Sequence, residues 1–185
     1  MNTLPGTVLP LEGGSLRYGF ANFKPLFLAT RGLTLSQVCE ISGTELTTVQ
    51  NWIKRGWVGH PDGKRYGEAH LARILLLNML RSGMQLEKIA LLLAYCNGDA
   101  DDRADDSVPD AALYSYLCTA IADVIDRGVS DTDTVREVAR GVVAGYQEPF
   151  AGAREKLENT LVIMTLAFLS GEYALRAQAL LNEIL

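Results

Sequence analysis

The sequence predicts an all-α protein in two helical parts, a small head and a bundle behind it. Three observations carry this reading. Apolar residues recur at helical spacing through both halves of the chain. Glycines stand at the ends of those stretches, where helices stop. The one stretch that invites extended pairing, "GHPDGKRYG" at 59–67, is short.

The chain has 185 residues, 48% of them apolar, enough for one ample domain or two small ones with a real core. Mean hydropathy is +0.09, which argues against a disordered chain. The longest apolar run, "LVIMTLAFL" (161–169), is too short to span a bilayer and has charges on both sides, so no membrane partner is expected. No basic patch followed by an apolar stretch opens the chain as a signal peptide would. Cys39, Cys96 and Cys118 are scattered and odd in number, which suits a reducing, cytoplasmic setting rather than a disulfide framework or zinc site.

Residues 1–33 carry Gly, Pro and several aromatics. They read as a loose N-terminal extension with a short helix near 22–30. The head begins at Thr34, an N-cap with Gln37 three residues on, the capping-box pattern. Leu35, Val38 and Ile41 form the stripe of this first helix, and Gly43 stops it. A second helix is expected from about Thr44 to Arg55, ended by Gly56, with Leu46, Val49 and Ile53 as its buried face. Thr47, Gln50, Asn51 and Lys54 then share the opposite face. Two short helices across a glycine-containing turn make a helix-turn-helix. Pro61-Asp62-Gly63 is a turn signal flanked by stretches able to pair as a small wing. Two apolar helices follow, one ending at Gly83 and one over 84–96 with Leu86, Ile89, Ala90 and Leu93 inward.

An acidic linker with a solvated, flexible character is expected at 97–109, since "NGDADDRADDSVPD" lacks the Gly and Glu positions of a calcium loop. The bundle, 110–185, opens with a helix from Asp110 to Arg127 closed by Gly128. A second helix starts at Ser130 and reaches toward Gly145. The last runs from near Pro149 through the 161–169 run to Leu185. That run is apolar on nearly every side, so it reads as the central helix of a bundle or of a dimer interface.

Net charge is −5, but its distribution is uneven. Residues 1–95 hold ten Lys/Arg against six Asp/Glu, or +4; residues 96–185 hold seven against sixteen, or −9. A basic front half can meet phosphates while an acidic back half stays clear of them. Asn and Gln side chains can pair with adenine edges, and Lys or Arg with guanine or phosphate. Gln50 and Asn51 are therefore candidate base readers, with Thr47 and Thr48 near the backbone and Lys54, Arg55, Lys64 and Arg65 as phosphate contacts. Trp52 and Trp57 read as core, as does Tyr66 against the first helix. His60 and His70 have no spaced partners, and no Ser-His-Asp set, phosphate loop or paired carboxylates occur, so neither an enzyme, a cofactor nor a metal site is indicated.

The order of these pieces resembles the DNA-binding head of the MerR transcription regulators. The matching features are Leu33-Thr34-Leu35, Ser42-Gly43 in the turn, Gly56 with an apolar pair after it, Tyr66 ahead of an acidic helix start, and Gly83-Met84-Gln85-Leu86-Glu87-Lys88-Ile89 as the closing segment. They span roughly a third of the chain, residues 34–96. The whole chain also resembles an uncharacterised group of Firmicutes proteins that carry a MerR-like head. The resemblance implies a winged helix-turn-helix with a minimal β-wing and duplex DNA as partner. It further implies a homodimer that straddles a near-palindromic operator and distorts the DNA between half-sites. The region 110–185 is then expected to mediate dimerisation and to take an effector or protein partner. The alternative is a protein-interaction module that keeps this head without binding DNA.

Overall fold

The apolar periodicities are realised as helices. The structure, a computed structural model, describes residues 2–11, 15–102 and 104–185. A 3-10 segment, Ser15–Phe23, leads into α1 (Lys24–Leu28). There follow α2 (Leu35–Ser42), α3 (Leu46–Lys54), α4 (Glu68–Leu80), α5 (Leu86–Asn97), α6 (Asp110–Arg127), α7 (Thr132–Val142) and α8 (Ala153–Ile184). Among the described residues β structure is confined to three isolated bridges, Thr3 with Pro10, Leu33 with Tyr66 and Asp62 with Arg65. The protein is thus all-α.

Helix boundaries follow the capping chemistry. Thr34 accepts the Gln37 backbone N–H, and Gln37 Oε1 accepts from the Thr34 N–H at 2.9 Å, so the capping box forms as the sequence indicates. At α7 the cap is Asp131 rather than Ser130. Its Oδ1 accepts from the Asp133 and Thr134 N–H groups at 3.0 and 3.1 Å, and the helix stops at Val142, short of Gly145. The last helix starts at Ala153, four residues after Pro149.

α4 is the hub. Eight of its side chains from Leu71 to Leu80 are buried hydrophobics, so no face is left for water. It packs against α2, α5, α6 and α8. The core that results is continuous, running from Val38 and Trp52 in the head to Leu157, Leu161 and Met164 in α8.

Three expectations need correction here. The N-terminal extension is not loose: Leu4, Phe20 and Phe23 are buried, Tyr114 of α6 donates a hydrogen bond to the Pro5 carbonyl at 2.8 Å, and Arg17 bridges Asp123 and Asp126. Only the short helix near 22–30 stands as read, as α1; residues 1 and 12–14 of that stretch lie outside the described residues. The acidic linker is solvated over 99–105, residue 103 lying outside the described ones, but anchored at both ends. Asn97, Ser107 and Val108 are buried, and the Ser107 hydroxyl donates to the Cys96 carbonyl at 2.6 Å. Third, the bundle that the 161–169 run centres is not that of residues 110–185 alone. Most of it is buried within one chain, because α4 and α5 of the front half share its core; Ile163 is exposed.

By length and composition α8 could cross a membrane, with a mean hydropathy of 1.2 over its most apolar 18-residue window; 44% of that window is buried inside the protein.

Candidate nucleic-acid interface

The polar face of α3 is held outward by what α3 buries. Val49 and Trp52 are fully inside, three residues apart, and fix the rotation of the helix about its axis. Thr47, Gln50, Asn51 and Lys54 are consequently exposed together on the far side, and Thr48 is half-buried at its edge. The sequence assigned the buried face differently in one respect. Leu46 is 45% exposed, and Trp52 takes the place it was expected to fill, with Ile53 half-buried beside it. The reason is geometric: α3 begins at Leu46, so this side chain sits on the first turn, before the helix has come down onto the core. Trp52 packs in the core, as read.

α2 and α3 are joined by Gly43, Thr44 and Glu45 alone. α3 closes after Arg55 with the Trp57 N–H bonded back to the Trp52 carbonyl at 2.9 Å, a Schellman-type bond that turns the chain away and buries Val58.

Arg55 does not share the α3 face. Its guanidinium lies 4.8 Å from the Trp57 ring centroid and donates to Glu87 Oε1 on α5 at 3.1 Å. Both partners of that pair are more than half exposed, so the pair is worth under about 1 kcal/mol and leaves Arg55 able to turn to another anion. Nothing in the spacing of Arg55 and Glu87 announces this contact.

Lys64 and Arg65 sit on a separate element, exposed on the turn that follows. Gly63 and Lys64 both adopt positive φ, 51° and 65°, the pair of conformations that a two-residue hairpin turn requires. The Arg65 N–H donates to the Asp62 carbonyl at 2.8 Å. Tyr66 then pairs with Leu33 in both directions, at 2.9 and 2.8 Å, so the turn is fastened to the start of α2. Tyr66 is buried, near Cys39 of α2, and burial raises its hydroxyl pKa.

Two histidines tie this turn to the acidic stretch, which the sequence did not reveal. The His60 N–H donates to Asp101 Oδ1 at 2.7 Å, and His60 Nδ1 lies 2.9 Å from Asp101 Oδ2. These contacts hold the Asp101 carboxyl below its ordinary range. His70 accepts the Gly67 N–H at Nδ1, 3.0 Å, which assigns its proton to Nε2, 3.1 Å from the His60 carbonyl. Among the described residues no group of three His, Cys, Asp or Glu is placed to hold a metal ion. Burial pushes the Cys96 thiol up to about 11 and Cys118 up to about 12, so neither is a ready thiolate.

The class to which this arrangement is similar is the family described as "Domain of unknown function (DUF1836)", which matches residues 32–117, from just before Leu33 to the middle of α6. A particular relative is "Uncharacterized protein YkrK" of Bacillus subtilis (strain 168), 31% identical over 107 residues, 56% of this chain and 45% of that protein. The match therefore spans less than half the length of the relative. No solved structure matches the chain.

Proposed function

We propose that the protein is a DNA-binding transcription regulator of MerR-like type, acting in the cytoplasm as a homodimer, with α3 entering the major groove. One observation carries the reading: Thr47, Gln50, Asn51 and Lys54 are exposed on a single face of a helix whose other face is locked in the core. A recognition helix needs this combination, short amide side chains that reach base edges only when the helix lies in the groove and a scaffold that forbids rotation. In this arrangement Gln50 and Asn51 read bases, and Thr47 and Thr48 lie toward the sugar-phosphate backbone. Lys54, Arg55, Lys64 and Arg65 supply charge to phosphates from two sides. The turn 62–65 acts as a minimal wing.

A second reading, a protein-interaction module without DNA binding, is favoured by the engagement of Arg55 with Glu87 and by the exposed Leu46 at the start of the same helix.

The two readings separate in one experiment. Duplexes selected from a random library are titrated by fluorescence anisotropy at several salt concentrations. Asn51→Ala should cost about 1–3 kcal/mol on the preferred site and relax its sequence preference. Lys54→Ala should weaken all duplexes alike and lower the salt slope by about one. If no duplex is selected, or both variants bind as wild type does, the DNA reading fails and the interaction module replaces it.

A further inference from the structure

The last turns of α8 leave the body of the protein. From Tyr173 to Leu185 every residue is exposed, Leu180 at 62% and Ile184 at 80%. Yet the spacing is not that of a solvated helix. Leu169, Tyr173, Ala177, Leu180 and Ile184 form one seam at intervals of four, four, three and four residues, widened by Ala174, Leu181 and Leu185. Glu172, Arg176 and Glu183 run along its flank. A contiguous apolar stripe of this kind on a protein surface calls for a cover.

Beside the root of this tail lies a groove of about 390 Å³, walled chiefly by Leu16, Val124, Ile125, Val129, Phe168 and Leu169, with Tyr173 also lining it. The seam thus begins as the wall of the groove and continues as the tail.

We infer that a second copy of this chain covers both: each tail lies in its partner's groove, with the two α8 helices antiparallel about a two-fold axis near Arg176 and Ala177. That register sets Tyr173 against the partner's Leu180 and Leu169 against the partner's Ile184, each contact made twice, as an isologous interface demands. The area is sufficient. Half the surface of a helix about 20 Å long is roughly 350 Å², so two tails and two grooves bury about 1,400 Å², within the range of stable specific interfaces. Charge argues against a lipid surface as the cover. Surface-bound helices set Lys and Arg against anionic headgroups, whereas this tail carries one Arg, balanced by one Glu, and Glu172 stands at its root. The inference gives the homodimer of the proposed function a contact surface. It rests on tail and groove alone, so a chain that dimerises without binding DNA overturns that function and leaves this interface standing.

The test uses the whole chain without DNA. Light scattering at micromolar concentration should give about twice 20.2 kDa. Leu180→Glu with Ile184→Glu on the tail, and Ile125→Glu with Val129→Glu in the groove, change side chains that are all at least half exposed or nearly so, and circular dichroism should show the fold unchanged. Each pair should raise the dimer Kd at least ~100-fold. Mixing the tail variant with the groove variant should restore a heterodimer, because one of the two tail–groove contacts survives. A monomeric wild type, a dimer indifferent to the tail variant, or one broken by the tail variant but not the groove variant overturns the inference. So does a monomer that binds phosphatidylglycerol vesicles through the tail.

Discussion

Replacing Asp110 with alanine should destabilise the whole protein, head included. Asp110 opens α6 and is 8% exposed; Arg73, in the middle of α4, is 4% exposed. The Arg73 Nε donates to Asp110 Oδ2 at 3.0 Å, and Asn97 Nδ2 lies 3.3 Å from Oδ1 while also donating to the Val108 carbonyl at 2.7 Å. The carboxylate also stands on the first turn of a helix, where negative charge is favoured. Alanine would strand a guanidinium inside the protein, and breaking one partner of a buried pair costs about 3–5 kcal/mol. For a chain of this size that is a fall in Tm of about 6–20 °C. The assay is thermal and urea unfolding followed by circular dichroism, with tryptophan fluorescence reporting Trp52 and Trp57 in the head. Both probes should move together, because α4 belongs to one continuous core. The double variant Arg73→Met/Asp110→Leu should recover most of the loss, since no unpaired charge remains. A loss below about 1 kcal/mol for Asp110→Ala would refute the reasoning, as would a double variant no better than the single.

Gly83→Ala should cost about 1–3 kcal/mol by urea unfolding, because an added Cβ would stand 1.9 Å from the Ala167 carbonyl oxygen and α8 would have to move off the α4–α5 turn. Asp101 should titrate below ordinary carboxylates in an NMR pH titration and return to the usual range in His60→Ala. A group with a lowered folded-state pKa lends stability above its unfolded pKa, near 3.9, and loses it as pH falls through the folded value, so the Asp101 contribution to the link from 60 to 101 should be lost in acid.

What the sequence disclosed were the features whose cause lies within a few residues. The Thr34/Gln37 box is one, and the span of α6 from Asp110 to Gly128 is another, because caps and periodicity are local physics. The polar face of α3 was legible for the same reason, since Thr47, Gln50, Asn51 and Lys54 recur at helical spacing. The contacts the sequence did not disclose join partners far along the chain. Arg55 with Glu87, His60 with Asp101 and Tyr114 with Pro5 are separated by 32, 41 and 109 residues, and no spacing rule connects them. The N-terminal stretch was misread because its anchors, Leu4, Phe20 and Phe23, follow neither helical nor strand periodicity. They lie in bridges, turns and a 3-10 segment kinked at Gly19, and bury against helices elsewhere.

The similarity over residues 32–117 bears on how α3 is aimed. That stretch does not stop at the acidic loop, where composition alone would divide the chain; it runs on through Asp110, Leu113, Tyr114 and Leu117. Of these buried residues, Asp110 pairs with Arg73 of α4, and Tyr114 meets Pro5, Phe20 and Phe23 of the N-terminal segment. α2 packs on α3 and on α4, and α4 is fixed in turn by α6 through the Arg73–Asp110 pair. Removing α6 would leave that side of α4 and a buried guanidinium in water, at a cost the two short helices of the head have no area to offset. The unit that positions the α3 face is therefore the helix pair together with α4 and the first half of α6. The matched stretch contains that mechanical unit whole, and the α8 tail lies outside it.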